Sequence, residues 1–202
     1  SKDLDGDGDM DVLYGFGNSL AWHKNSGSGG FGEPITISPN YHTYDSVYAE
    51  DIDGDGDVDV FSASSHRSEI YWYENLGEGN IAPEITISSY LIRGTAILAE
   101  DFDGDGDLDY FVGGRGQGGS ITASNFFGLR WAENPGVKDA RDETKWKIHA
   151  VYANIKSAHG LIVTDIDEDG DDDIVVNSAD FNTCPLYHTD AGDGPARMML
   201  DR

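Results

Sequence analysis

Aspartate recurs at every second position in four short stretches of this 202-residue chain. They read DLDGDGDMDV from Asp3, DIDGDGDVDV from Asp51, DFDGDGDLDY from Asp101 and DIDEDGDDDI from Asp165. Five carboxylates within nine residues cannot sit together uncompensated, because each like charge a few Å away raises its neighbours' pKa and strains the fold. A hard divalent cation resolves that conflict. Calcium takes about six to eight oxygens at about 2.3–2.6 Å from a loop flexible enough to wrap it. Alternate aspartates supply the oxygens, and the intervening glycines allow the turns a short loop needs. The chemistry implied is the binding of up to four calcium ions.

Other chemistry is poorly supported. A pair of carboxylates could serve a glycosidase as acid and nucleophile, but every dense cluster here already belongs to the repeated loops. No enzyme activity is expected. The histidines, at 23, 42, 66, 149, 159 and 188, share no metal-ligand spacing and read as surface or packing residues. Cys184 is the only cysteine, so no internal disulfide can form, and no basic partner lies beside it in sequence. The run GGRGQGG at 113–119 lacks the GK[ST] ending and following helix of a phosphate loop. Asn182-Thr183-Cys184 is only a weak form of glycosylation sequon.

The loops also explain the net charge of -25, since they hold 22 of the 38 acidic residues and leave 16 acids against 13 bases elsewhere. Nucleic acid and anionic lipid both require a basic patch, and the sequence has none. No apolar run approaches the ~20 residues of a membrane span. Neither a nucleic-acid partner nor direct membrane insertion is expected. Calcium modules of extracellular type bind at about 10⁻⁴–10⁻³ M, and cytosolic calcium would leave such sites empty and repelling. The expected location is therefore extracellular, at the cell surface, or periplasmic or lumenal.

Loops of this kind need rigid elements to hold them, and the sequence repeats those too. A second marker keeps step with the aspartates: LAWHKNSGSG at 20–29, IYWYENLGEG at 70–79, LRWAENPG at 129–136 and a degraded LYHTDAGDG at 186–194. Trp22, Trp72, Trp131 and Tyr187 take equivalent places, as do Asn25, Asn75, Asn134 and Asp190. Within the second repeat, β-branched and aromatic runs predict strands at 46–50, 58–64, 69–75 and 84–88, with a glycine-rich turn at 76–80. The third repeat predicts strands at 95–100, 108–113, 129–134 and 145–152. No stretch carries a sustained apolar period of 3.6 residues, so essentially no helix is expected. Four short strands per repeat of about 50 residues suggest an all-β propeller built of four-stranded blades. Strands such as FSAS and IYWYE, apolar or small on both faces, suit a blade packed between two others. The whole chain, 1–202, reads as one such region, with repeats near 1–45, 46–94, 95–159 and 160–202.

The pattern DxDGDGDxD after a short strand, followed by a WYENxG-like strand and turn, resembles the FG-GAP / VCBS repeat. That family includes the β-propellers of integrin α-subunits and many secreted microbial and algal proteins. The resemblance implies a calcium loop between a blade's first and second strands. It implies side-chain ligands at loop positions 1, 3, 5 and 9 and a backbone carbonyl at position 7. Carried over, these are Asp3, Asp5, Asp7 and Asp11 with the Asp9 carbonyl; Asp51, Asp53, Asp55 and Asp59 with that of Asp57; Asp101, Asp103, Asp105 and Asp109 with that of Asp107; and Asp165, Asp167, Asp169 and Asp173 with that of Asp171. The fourth loop departs by placing Glu168 where the others have glycine and by adding Asp172. Position 12 of the four loops is Tyr14, Ser62, Val112 or Val176, never the bidentate glutamate an EF-hand requires. The period of about 50 also excludes a β-helix of calcium-binding nonapeptides.

Propellers of this family commonly have about seven blades, so four repeats imply part of a larger ring. A closed four-bladed ring, with 198–200 as its closing strand, is the alternative. The expected function is a calcium-stabilised scaffold for adhesion or protein–protein assembly. A lectin-like carbohydrate-binding module, or an accessory domain of a larger secreted enzyme, is the rival. Under the lectin reading the three tryptophans become exposed sugar-stacking platforms; under the scaffold reading they are core. Either partner, protein or glycan, is expected on the rim opposite the calcium loops. That rim comprises the loops at 66–68, 90–94, 113–128 and 179–185, with Arg93, Arg115 and Asn125.

Overall fold

The second, third and fourth aspartate loops each connect two antiparallel strands, the first is closed by an isolated bridge between Lys2 and Asp11, and the strands gather into successive sheets. A computed structural model describes residues 1–40, 42–64, 66–88, 94–114, 129–152, 158–165, 168 and 173–178. Among these residues the secondary structure is all β, with no helix. The first sheet pairs β1 (Val12–Phe16), β2 (Ser19–His23) and β3 (Ile35–Ser38). The second runs β4 (Ser46–Glu50), β5 (Asp59–Ser64), β6 (Glu69–Tyr73) and β7 (Ile85–Ser88) in sequence order. The third repeats that order with β8 (Gly94–Glu100), β9 (Asp109–Gly114), β10 (Leu129–Glu133) and β11 (Lys147–Tyr152). The last described pair is β12 (Ala158–Thr164) with β13 (Asp173–Ser178).

The register explains how the loops are held. Glu50 pairs with Asp59, and Glu100 pairs with Asp109, so the final aspartate of the second and third loops is also the first residue of the return strand. All six residues of β5 and all six of β9 are buried. A strand that is dry on both faces must be packed between layers, as the two-sided apolar pattern predicts.

The sheets pack in series. Leu20, Trp22, Val60, Tyr71 and Tyr73 form a core between the first and second. Phe61, Trp72, Ile97, Tyr110 and Trp146 form another between the second and third. Leu98, Phe111, Leu129, Ile174 and Val176 form a third against β12 and β13. The second and third sheets thus each bury one face against the sheet before and the other against the sheet after, the logic of a repeat array. The first strands of these sheets come together: β4 lies beside β8, and β8 beside β12.

The tryptophans resolve toward the core. Trp22 is 2% exposed and Trp72 is 0% exposed. Trp131 is partly buried, stacked on His149 with ring centroids 4.4 Å apart. Tyr187, His188, Asp190, Cys184, the 182–184 sequon, most of the 113–119 run and the 198–200 segment lie outside the described residues.

Candidate metal centres

A short acidic loop needs a backbone that turns before it can converge its side chains. Position 4 of the loops is left-handed, with φ of 73° at Gly6, 71° at Gly54 and 74° at Gly104. Glu168 stands at the same position of the fourth loop and adopts φ 61°. A side chain in that region costs about 1 kcal/mol relative to glycine, so the fourth loop keeps the turn at an energetic cost.

The first aspartate of each loop organises the turn. Asp3 accepts from the Gly6 and Gly8 N–H groups at 2.8 Å each. Asp51 accepts from Gly54 and Gly56 at 2.9 Å each. Asp101 accepts from Gly106 at 3.0 Å. The fifth position closes a smaller turn, with Asp7, Asp55 and Asp105 accepting from the N–H two residues on.

The ninth position is anchored from just past the end of the neighbouring strand. Asp11, Asp59, Asp109 and Asp173 are all buried. Asp59 accepts from the Asn75 N–H at 2.7 Å, Asp11 from Asn25 at 2.8 Å, and Asp109 from Asn134 at 2.8 Å. The same asparagines donate Nδ2–H to the residue before that aspartate: Met10, Val58 and Leu108, each at 3.0 Å. Their Oδ1 atoms then accept from Gly27, Gly77 and Gly136 in the following turn. The sequence marks these asparagines as a repeating feature. The structure gives them their role as the clamp on the loop's far end.

These constraints bring carboxylates together. Oxygens of Asp3, Asp5 and Asp11 converge within 4.8 Å, as do those of Asp51, Asp53 and Asp59, and of Asp101, Asp103 and Asp105. A further cluster at the second loop joins Asp53 and Asp55 to Glu74. Asp7, Asp9, Asp57, Asp107 and Asp109 stand apart from these clusters, and the carboxylates of Asp9, Asp57 and Asp107 lie over Gly27, Gly77 and Gly136 of the neighbouring turns. In the fourth loop Asp165 and Asp173 are described, whereas Asp167, Asp169, Asp171 and Asp172 lie outside the described residues.

The donor set fits a hard cation. Asp5 Oδ1, Asp53 Oδ1 and Asp101 Oδ1 are buried without a hydrogen-bond partner, an arrangement folded proteins otherwise avoid. Asp53 is 4% exposed. Without a cation, burial pushes the Asp59 carboxyl up to about 7 and that of Asp109 up to about 6, even though each accepts a backbone hydrogen bond. Burial, then the charge of Asp55, likewise raises Asp53. A divalent ion would relieve all of these by pairing the charged forms.

Basic side chains also reach the clusters, and sequence spacing does not point to them. Lys24 bonds Asp5 and lies 3.0 Å from Asp7. Arg141 bonds Glu74, lies 3.0 Å from Asp53, and sits 5.5 Å over the Trp72 ring. Lys147 and His149 both pair with Glu133. Of the loops expected to carry partner binding, residues 66–68, 94 and 113–114 are described; Arg93, Arg115 and Asn125 lie outside the described residues.

A family profile described as FG-GAP-like repeat matches the chain three times, over residues 3–62, 51–112 and 101–176. Each match runs from one aspartate loop to the strand after the next, so it spans a full repeat. Among solved structures, the chain is similar to a lectin from Agrocybe aegerita, described for its specific recognition of non-reducing terminal N-acetylglucosamine. The TM-score is 0.64 at 18% identity, covering 98% of this chain and 50% of that one. A weaker likeness, at TM-score 0.47 and 19% identity, is to the V. cholerae biofilm matrix protein Bap1, covering 93% of this chain and 28% of that one. The chain thus spans half the length of the lectin structure it matches. No curated protein sequence matches it.

Proposed function

As the chain belongs to the FG-GAP-like repeat family, we propose that it is a calcium-stabilised β-propeller segment acting as a binding scaffold in adhesion or assembly. The observation that carries the calcium reading is the set of buried, partnerless carboxylate oxygens in the repeated loops, led by Asp53 Oδ1. The ligands are the alternate aspartates from Asp3, Asp51, Asp101 and Asp165 onward, one ion to a loop. The ion's role is structural: it neutralises a charge cluster that the strands force together. The propeller reading is supported by sheets packed face to face in series and by first strands β4, β8 and β12 gathered side by side. The four repeats are then blades of a larger ring.

The scaffold reading, as against an enzyme, is supported by the position of the carboxylate clusters, which lie at the repeated loops among the described residues. The proposed location is extracellular, at the cell surface, or periplasmic or lumenal, because sites of the extracellular type, binding at about 10⁻⁴–10⁻³ M, would fill only there. Calorimetric titration with calcium tests the reading: saturable uptake supports it, and no uptake at millimolar calcium refutes it.

A lectin-like module is the second reading, favoured by the shared fold with the Agrocybe aegerita lectin. Trp22 and Trp72 are buried and are no sugar platforms, so a glycan site belongs on the rim opposite the calcium loops. A glycan array separates the two readings: selective calcium-dependent retention of one sugar class supports the lectin, and a blank array leaves the protein-binding scaffold.

A further inference from the structure

The position two residues after each marker tryptophan carries Lys24, Glu74 and Glu133 in successive repeats. In the second repeat this position adds an acid to the loop. An oxygen of Glu74 joins one each from Asp53 and Asp55 within 4.8 Å. Asp53, shared with the loop's other cluster, is 4% exposed and its Oδ1 is without a partner. In the first repeat the same position delivers a cation instead. Lys24 Nζ bonds Asp5 and lies 3.0 Å from Asp7, the counterparts of Asp53 and Asp55.

The remaining bases sharpen the contrast. Arg141 reaches the second loop, but it is bound by Glu74 as well as Asp53, so that acid and base together add no net charge. At the third loop Glu133 takes up Lys147 and His149 in the same way. The first loop has no such acid at this position. Its lysine pairs directly with two loop aspartates.

We propose that this position, at the end of its strand or one residue past it, sets the calcium affinity of its loop. Lys24 is a built-in counter-cation that makes the first loop weaker for calcium than the second and third. Glu74 and Glu133 keep their loops open to the ion. The calcium ligation proposed above is the premise. Lys24 therefore holds the first loop in shape when calcium is scarce, and the first repeat depends least on the ion.

Equilibrium dialysis with radioactive calcium on the full chain tests this. The unaltered chain is compared with Lys24→Glu, Lys24→Met and Glu74→Lys. Lys24→Glu, a swing of two unit charges, is expected to tighten one weak site about tenfold or more, the scale of reversing a charge a few Å from a cation in a largely solvated site. Lys24→Met moves the same site in the same direction by less. It removes a side chain that is 46% exposed, so the fold survives the change. Glu74→Lys weakens one tight site by a similar factor. If the unaltered chain binds no calcium, the premise and this proposal both fall. If it binds calcium and both Lys24 variants leave the isotherm unchanged, this proposal alone falls.

Discussion

Asn75 shows how much one side chain contributes when a repeat has to hold its neighbour. It is fully buried, and its Nδ2 donates to Val58 O at 3.0 Å and to Leu4 O of the preceding repeat at 2.8 Å. Leaving buried carbonyls unsatisfied costs about 1–3 kcal/mol each. Asn75→Ala should therefore lower unfolding free energy by about 2–4 kcal/mol in urea melts. Asn25→Ala, at a partly exposed site, should cost less than half of that. Equal losses would remove the inter-repeat role.

The buried acids make a second prediction at this scale. Burial lifts Asp59 to about 7 and Asp109 to about 6 in the metal-free chain. An acid whose folded pKa lies above its unfolded value binds its proton more tightly when folded. Between about pH 4 and 7 the unfolded chain sheds that proton first, so stability falls as pH rises through that window. Carboxylates held below their usual range, such as Asp7 and Glu133, act at lower pH. EDTA-treated protein should melt higher at about pH 5 than at about pH 7.5. The opposite order would show that these aspartates are already relieved without metal.

At the scale of elements, the strands of the second and third repeats were legible in the sequence to within two residues. Each is short and carries β-branched or aromatic residues. The convergence of aspartates was legible in part, because a two-residue spacing in a tight loop leaves them few other places to go; Asp7 and Asp109 fall outside the groups that form. The partners that close the clusters were not. Arg141 reaches Asp53 and Glu74 from the next repeat, and Asn75 reaches back across 71 residues to Leu4. No spacing rule joins side chains that meet only because two sheets stack. The tryptophans show the same limit: recurrence on the third strand fitted both core and sugar platform, and packing decided it. Trp72 lies in the core between the second and third sheets, so Trp72→Ala should cost about 3–5 kcal/mol. Phe16, 81% exposed, should tolerate serine within about 0.5 kcal/mol. Comparable losses in chemical denaturation would mean that the stacking is misassigned.

At the scale of the molecule, the loops and the cores do different work. Three apolar cores join the sheets in series, while the aspartate loops carry a concentrated negative charge that the cores must hold together. Calcium, in the proposed function, turns that charge from a liability into a clamp along one rim. At about tenfold excess over Kd, one ion adds about 1.4 kcal/mol, and several together make a large share of a typical stability of about 5–15 kcal/mol. The same proposal leaves the opposite rim for recognition of a protein or a glycan, and it predicts that a partner screen returns calcium-dependent binding. The most direct test of the calcium clamp is the thermal melt of the full chain in millimolar calcium against excess EDTA at neutral pH. A structural ion predicts a midpoint lower in EDTA by about 5 °C or more, restored when calcium is returned. Superimposable melts would contradict it.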